Sequence, residues 1–317
     1  MRVGLDVGGT KTEAVALSPR GEIIGRVRRP TGWGSDAVIQ SILAAVAELA
    51  ETVGFAASDI ETVGIGIPGV VEPDTGQVLH AVNLGVESLD IPGRLVGELA
   101  ARVRVANDVK AATIGAASLR GEAGSMAYLN LGTGVAAGII LGGDLWHGAH
   151  GTAGEVGHIS VDPNGRLCGC GQRGCIEALC GGGPVARAWG RPGAFPIRDI
   201  FDAADAGDAQ ARELRDGLAR AAAAAVRVLV LTADVEVVVL GGGLTALGER
   251  LEREIVESLR REGEGSAFLT SLRLCERIEM LPAGSPAAAL GAALIGADRR
   301  TSATGGHDTE ERAALRG

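Results

Sequence analysis

Two stretches of this chain share one local design, and a chain that carries it twice is pushed towards two similar halves. VGLDVGGTKTEAVAL near the start and MAYLNLGTGVAAGIIL from residue 126 each read as an apolar strand, a tight turn of glycine and threonine, and a second apolar strand. Aliphatic and β-branched runs suit a buried pleat, and glycine permits the turn. Chance likeness between two short glycine turns is the alternative to duplication. Length favours two halves, because 317 residues exceed what one core ordinarily fills.

The pattern around the first copy is βββαβ. Arg2–Asp6, Glu13–Leu17 and Glu22–Arg29 have strand content, Ser35–Val53 carries Val38, Ile42, Val46, Leu49 and Val53 at helical spacing, and Thr62–Ile67 returns to a strand. Val103–Ala106 is a further strand that runs into a helix over Val109–Leu119. After the second copy come an alanine-rich helix from about Ala209 to Leu231, a strand Val235–Leu240, a glycine turn, and a helix from about Ala246 to Arg261. A helix of small residues follows Pro286 to about Arg299, and the polar remainder is expected to be mobile. The chain is therefore expected to divide into a small lobe, 1–118, and a large lobe, 119–285, with helix 286–299 packing back on the first and 300–317 as a tail.

A formal net charge of -9 argues against a nucleic-acid partner, which needs a dense basic surface, but leaves room for a nucleotide in a small local site. MRVGLDVGG lacks the basic start and long apolar core of a signal peptide, and no apolar run approaches the ~20 residues of a membrane span. A cytoplasmic protein with no membrane partner is expected.

Three glycine turns, each at the end of an apolar strand, offer backbone N–H groups to phosphate. In the first, Asp6, Gly8, Gly9, Thr10 and Lys11 form a hairpin in which Asp6 can face Mg²⁺. It is not a Walker A loop, since that spacing is missing and a strand follows. Gly132, Thr133 and Gly134 form the second turn, and Gly241, Gly242 and Gly243 the third. Any one of them can equally be a turn with no ligand, but ligands of open α/β structures gather at the carboxyl ends of strands, where all three could meet one nucleotide. Asn107 and Asp108 open a helix after a strand: a helix cap is one reading, and a carboxylate that accepts a hydroxyl proton during phosphoryl transfer is the other.

Glu155 and His158 in GEVGH could engage neighbouring hydroxyls of a polyol. His158 also precedes Cys168, Cys170 and Cys175, which together offer one imidazole and three thiolates, enough for a closed, structural zinc site. Buried unpaired thiols are the alternative. Cys180 and Cys275 have no matching spacing and read as core residues. Glu177 follows Cys175 by two positions, either as a helix-start acid or as a group that a zinc-fixed loop delivers to the sugar.

Taken in order, DVGGTKT (6–12), GIGIPG (64–69), ND with AA (107, 108, 111, 112), LGTGV (131–135), GEVGH (154–158), CGCGQRGCIE (168–177) and VLGGG (239–243) resemble the ROK family of bacterial sugar kinases and repressors. The resemblance covers residues 2 to about 298. It implies the two-lobed, actin-like ATPase fold of the hexokinase superfamily with a structural zinc loop, ATP and Mg²⁺ in a cleft, and a homodimer or homotetramer. It further implies Asp108 as the base, with Gly66, Asn107, Asp108, Glu155, His158 and Glu177 on the sugar and the three glycine turns on ATP. In that pattern the histidine serves zinc and sugar through its two ring nitrogens.

The expected activity is transfer of the γ-phosphoryl of ATP to the 6-hydroxyl of a glucose-type sugar, glucose or N-acetylglucosamine, with fructose, mannose or allose as alternatives. Lys110 departs from the family's frequent Asn, Ala136 and Ala137 from frequent glycines, and Val86 from a frequent Trp. The smaller Val86 is expected to leave room for an acetamido group. A sugar-responsive regulator is the rival function, as is a non-catalytic sugar sensor. Only five residues precede Asp6, too few for the winged helix-turn-helix of the repressors, so the kinase is expected.

Overall fold

The computed structural model describes residues 1–121 and 124–297, so the expected tail and the last two residues of the 286–299 helix lie outside the described residues. The chain packs as two compact units, Met1–Asp108 with the described residues from Ala292 on, and Val109–Gly291. The first unit contains β1 (Arg2–Val7), β2 (Lys11–Leu17), β3 (Ile23–Pro30), α1 (Ser35–Val53), β4 (Thr62–Ile67), β5 (Val70–Val71), β6 (Gln77–Ala81), β7 (Val86–Asp90), α2 (Ile91–Leu95) and β8 (Arg102–Asn107), and ends at the first residue of α3 (Asp108–Arg120). The second contains the rest of α3 and β9 (Met126–Leu131), β10 (Val135–Leu141), β11 (Asp144–Leu145), α4 (Ile176–Cys180), α5 (Gly182–Trp189), α6 (Pro196–Asp205), α7 (Ala209–Ala233), β12 (Val237–Gly241), α8 (Glu249–Gly263), α9 (Ala267–Ser271), β13 (Ile278–Met280) and the start of α10 (Ala287–Ala297).

The internal echo is real at the level of topology. One sheet runs β3-β2-β1-β4-β8 and the other β11-β10-β9-β12-β13. In each, the strand before the glycine turn is antiparallel to the strand after it and parallel to the next: β1 with β2 and β4, β9 with β10 and β12. Each turn thus sits at the carboxyl end of a central strand, beside the carboxyl end of a parallel neighbour.

Helix α1 forms where the 3.6-residue spacing puts Val38, Ile42, Val46 and Leu49 on one face, and that face is buried with Leu5, Ala14 and Ala16 of the sheet. Each such side chain contributes about 1.5–3 kcal/mol on burial. The helix stops at Gly54, whose φ of 83° is left-handed. In the second unit, α7 buries Leu214, Leu218, Leu229 and a run of alanines, so the sheet and neighbouring helices approach it closely.

Some element ends differ from the sequence reading. The strand expected from Val235 starts at Val237, because Glu236 N–H is taken by the Ser125 carbonyl outside the ladder. The helix expected from about Ala246 starts at Glu249, after a single 3₁₀ turn over Gly243–Leu247. An antiparallel three-stranded sheet, β5-β6-β7, was not expected at all. Its first strand has two residues, and His80 interrupts β6 with a positive φ of 56°, so no alternating pattern is long enough to read. Val86, at the head of β7, is only 3 % exposed and belongs to the core of the first unit. Its small size therefore opens no space to a ligand, which removes the reason given above for an acetamido substituent.

Gly64 of β4 has no room for a side chain: a Cβ there would lie 1.7 Å from the Ala292 carbonyl oxygen of α10. Gly64→Ala is expected to cost more than about 3 kcal/mol, because backbone must move on one side. Gly54→Ala has open space around it and carries only the left-handed backbone penalty, roughly 1–2 kcal/mol. Urea denaturation midpoints of the two variants would check the difference.

Candidate active site

In the first unit the expected site residues gather at one edge of the sheet. Asp6 pairs with Gly66 across β1 and β4, and Ile67 pairs with Asn107 across β4 and β8. Gly8, Gly9 and Thr10 form the turn out of β1, Lys11 begins β2, and Asp108 is the first residue of α3. Asn107 Nδ2 donates to the Gly69 carbonyl at 3.2 Å, which orients its amide across the end of β4. Gly8 N–H donates to the Lys11 carbonyl at 2.9 Å and closes the turn, while Gly9 lies so close to Asn83 that a Cβ would be 2.8 Å from its carbonyl oxygen.

Carboxylates crowd this edge. Burial, reinforced by the charges of Asp108 and Glu13, lifts the Asp6 carboxyl from its ordinary 3.8 to about 7, and Lys11 and Arg28 only partly oppose the shift. Glu13 faces Asp6 across the β1–β2 ladder and is buried under two guanidinium groups. Arg26 donates to its Oε1 from Nε at 3.0 Å and Nη2 at 2.7 Å, and Arg28 from Nε at 3.1 Å and Nη2 at 2.6 Å. Behind the turn, Thr12 Oγ1 lies 2.9 Å from both Thr31 Oγ1 and Ser41 Oγ, a buried hydroxyl chain that ties β2 to the start of α1. Neither the Glu13 pair nor the hydroxyl chain was singled out in the sequence. Strand alternation was the available signal, since it turns polar Thr12 inward next to the exposed Lys11.

In the second unit the two remaining glycine turns meet. A Cβ on Gly242 would stand 2.5 Å from the Leu131 carbonyl oxygen, and Gly241 pairs with Asn130 at the ends of β12 and β9. The Gly132–Gly134 turn is oriented from behind by the head of α5: Gly182 N–H donates to the Gly132 carbonyl at 2.8 Å and Gly183 N–H to the Thr133 carbonyl at 2.9 Å. A trans peptide points its C=O and the following N–H in opposite directions. The N–H groups of Thr133 and Gly134 are thereby turned away from α5, where they could donate to an anion. Glu177, in the first turn of α4, accepts the Val135 N–H on Oε2 at 3.0 Å and so lies against the same turn. The Gly181–Gly183 run escaped the sequence reading, although three successive glycines were a visible signal.

GEVGH lies along β10 at backbone contact. Gly154, with a φ of 98°, and Gly157 would each put a Cβ 1.9 Å from a carbonyl oxygen, of Ala137 and Val135 respectively. Glu155 is left exposed between them at the head of a single turn, Val156–His158. Lys110, on α3, donates from Nζ to the Gly151 carbonyl of the preceding loop. Burial lowers its pKa, the nearby Glu155 charge raises it, and Lys110 in turn joins burial in lowering that of His147.

The donor atoms of His158, Cys168, Cys170 and Cys175 all lie within 4.8 Å of one another. Cys168 Sγ is 3.8 Å from His158 Nδ1, and Cys170 Sγ is 3.7 Å from Cys175 Sγ. A tetrahedron with Zn–S bonds of about 2.3 Å has edges of about 3.8 Å, so this set fits zinc and closes its coordination. Hydrogen bonds from the Gln172 backbone and side chain hold the Cys170 thiol down to about 6, in the thiolate direction that a metal needs. With Nδ1 on the sulfur side, Nε2 of His158 points out of the cluster. Cys180 is fully buried and Cys275 half-buried, and neither joins the cluster.

The chain as a whole has relatives among known proteins. The ROK family model matches residues 2–299. A glucokinase of Halalkalibacterium halodurans is 31% identical, with 97% of this chain and 98% of that protein aligned. The chain belongs to the ROK family. An N-acetylmannosamine kinase of Escherichia coli is 32% identical over 76% of this chain and 82% of its own length. The crystal structure of a ROK family glucokinase from Streptomyces griseus, in complex with glucose and AMPPNP, superposes with a TM-score of 0.76 at 31% identity, covering 93% of this chain and 98% of that one. The α/β architecture with two sheets is that of ROK hexokinases.

Two measurements follow for this ROK protein. Between about pH 4 and 7 the folded chain keeps an Asp6 proton that the unfolded chain has released, so stability falls as pH rises through that window and levels off above it. Asp6→Asn is expected to remove this slope, worth at most about 4 kcal/mol for a shift of roughly three units. Denaturation at pH 5 and pH 8 without divalent cations would read it, and equal slopes in variant and wild type would show that Asp6 titrates normally. Cys175→Ser is expected to lower both metal content, measured by elemental analysis, and melting temperature, because metal binding free energy is folding free energy.

Proposed function

We propose that this ROK protein is an ATP-dependent hexose kinase that phosphorylates the 6-hydroxyl of a glucose-type sugar, with Asp108 as the base. The observation that carries the reading is the acidic edge of the first unit, where Asp108 heads α3 close enough to Asp6 to raise its pKa. A base at a strand end accepts the O6 proton as that oxygen attacks the γ-phosphorus and the bond to the β-phosphate oxygen breaks, releasing ADP. Mg²⁺ held at Asp6 would neutralise phosphate charge, and a half-buried carboxylate surrounded by like charge suits a cation.

The remaining roles follow from chemistry. Gly8–Thr10 and Lys11, the donor pair of Thr133 and Gly134, and Gly241–Gly243 bind ATP phosphates and nucleotide through backbone amides and one ammonium. Gly66 leaves the sugar close access to β4, while Asn107, Glu155, Glu177 and the outward Nε2 of His158 bond its hydroxyls. Zinc held by His158, Cys168, Cys170 and Cys175 would supply structure to this loop, with no open position for chemistry. Glucokinases and an N-acetylmannosamine kinase among its relatives support a hexose acceptor, and a relative's complex with AMPPNP supports ATP as donor. Among the described residues no helix is long and apolar enough to cross a membrane, in keeping with a cytoplasmic enzyme. The reading extends to a homodimer or homotetramer, as the family resemblance implies.

Asp108→Asn is expected to lower kcat by at least about a thousandfold while hexose binding stays measurable by calorimetry. A variant that keeps a tenth of wild-type kcat, about 1.4 kcal/mol, is too active for a missing base. Comparing kcat/KM for glucose, N-acetylglucosamine, mannose, N-acetylmannosamine, fructose and allose with ATP tests the acceptor. Preference for fructose or allose would overturn the glucose-type assignment, and binding without turnover in the wild type would overturn the kinase.

A further inference from the structure

Helix α4 is one turn of five residues that carries Glu177, and a turn so short has no stability of its own. Its first end is tied to the metal loop, because Cys175 is its N-cap residue. At its other end the carbonyls of Ala178 and Leu179 have no partner within the helix, as expected of a last turn. Both are taken by Arg166, which stands two residues before Cys168 on the metal loop. Nε and Nη2 of its guanidinium donate to the Ala178 carbonyl at 3.1 and 2.8 Å, and Nη2 also reaches the Leu179 carbonyl at 3.2 Å. Glu213 of α7 supplies a facing negative charge. A planar fork of donors on two successive carbonyls sets the rotation of the turn about its axis, which a single ammonium does less completely.

What that rotation controls lies on the far side of the turn. Glu177 Oε2 accepts the Val135 N–H, and the chain continues through Gly181 into the head of α5, whose amides hold the Gly132 and Thr133 carbonyls. We infer that Arg166 is a positioning residue that couples the metal loop to Glu177, aiming that carboxylate at the sugar through the carbonyl end of α4. The inference rests on the proposed role of Glu177 as a sugar contact.

The test compares wild type, Arg166→Met, Arg166→Lys, Glu177→Gln and the double variant Arg166→Met/Glu177→Gln, each assayed for zinc content, calorimetric glucose affinity, and KM and kcat. Arg166→Met is expected to keep one zinc per chain, raise the glucose Kd and KM about tenfold or more, and change kcat less, with Arg166→Lys intermediate. In the Glu177→Gln background, removing Arg166 should weaken glucose binding by less than twofold, because the group it aims is already gone. Should Arg166→Met not fold, Arg166→Lys takes its place in the cycle. Additive losses in the double variant, wild-type glucose affinity at full zinc content, or loss of zinc together with affinity would each overturn the inference. A wild type that binds no hexose, or a Glu177→Gln variant that binds it normally, would instead refute the underlying reading of the site.

Discussion

The confinement of carboxylates at the carboxyl edge of β1, β4 and β8 is the constraint around which the first unit is arranged. Asp6 is half-buried with Asp108 and Glu13 acting on it, and a cluster of like charges in a poorly solvated place is unstable unless something offsets it. Part of the offset is built in. Arg26 and Arg28 both chelate Oε1 of Glu13 on the flank of the sheet, so the charge of that carboxylate is shared with two guanidinium groups. Among the described residues Asp6 has no such pair of guanidinium groups, and its proton is correspondingly hard to remove. A site left in this state favours the arrival of a cation or of a proton.

The second unit solves a different problem, that of aiming backbone. The N–H groups of its glycine turn face away from α5 because the opposite faces of the same peptides are bound by α5, and α5 is reached through a five-residue turn anchored on the Cys₃His loop. The four clustered His and Cys side chains, which could hold a metal, therefore stand at the origin of α4 and with it of Glu177. GEVGH approaches the same region along β10 at backbone contact, which sets Glu155 and His158 on a rigid edge.

Much of this was legible in the sequence because it is carried by local pattern. The strands flanking each glycine turn, the face of α1, and the spacing of His158, Cys168, Cys170 and Cys175 are properties of neighbouring residues. The sheet β5-β6-β7 was not legible, since a two-residue strand and a left-handed His80 leave no periodic signal. Val86 misled for a related reason: a departure from a family pattern marks a position, but whether its side chain faces core or ligand depends on strand register.

The sequence by itself determined where glycine turns at strand ends, a candidate base and a Cys₃His loop occur along the chain, and that two sheets of one design would carry them. Only the tertiary structure decided which backbone amides point outward, that Glu13 is paired with two arginines while, among the described residues, Asp6 is not, and that Arg166 closes the end of α4. Peptide orientation, desolvation and carbonyl capping are all set by groups far apart in the chain, and no reading of neighbours can supply the partner that makes each of them.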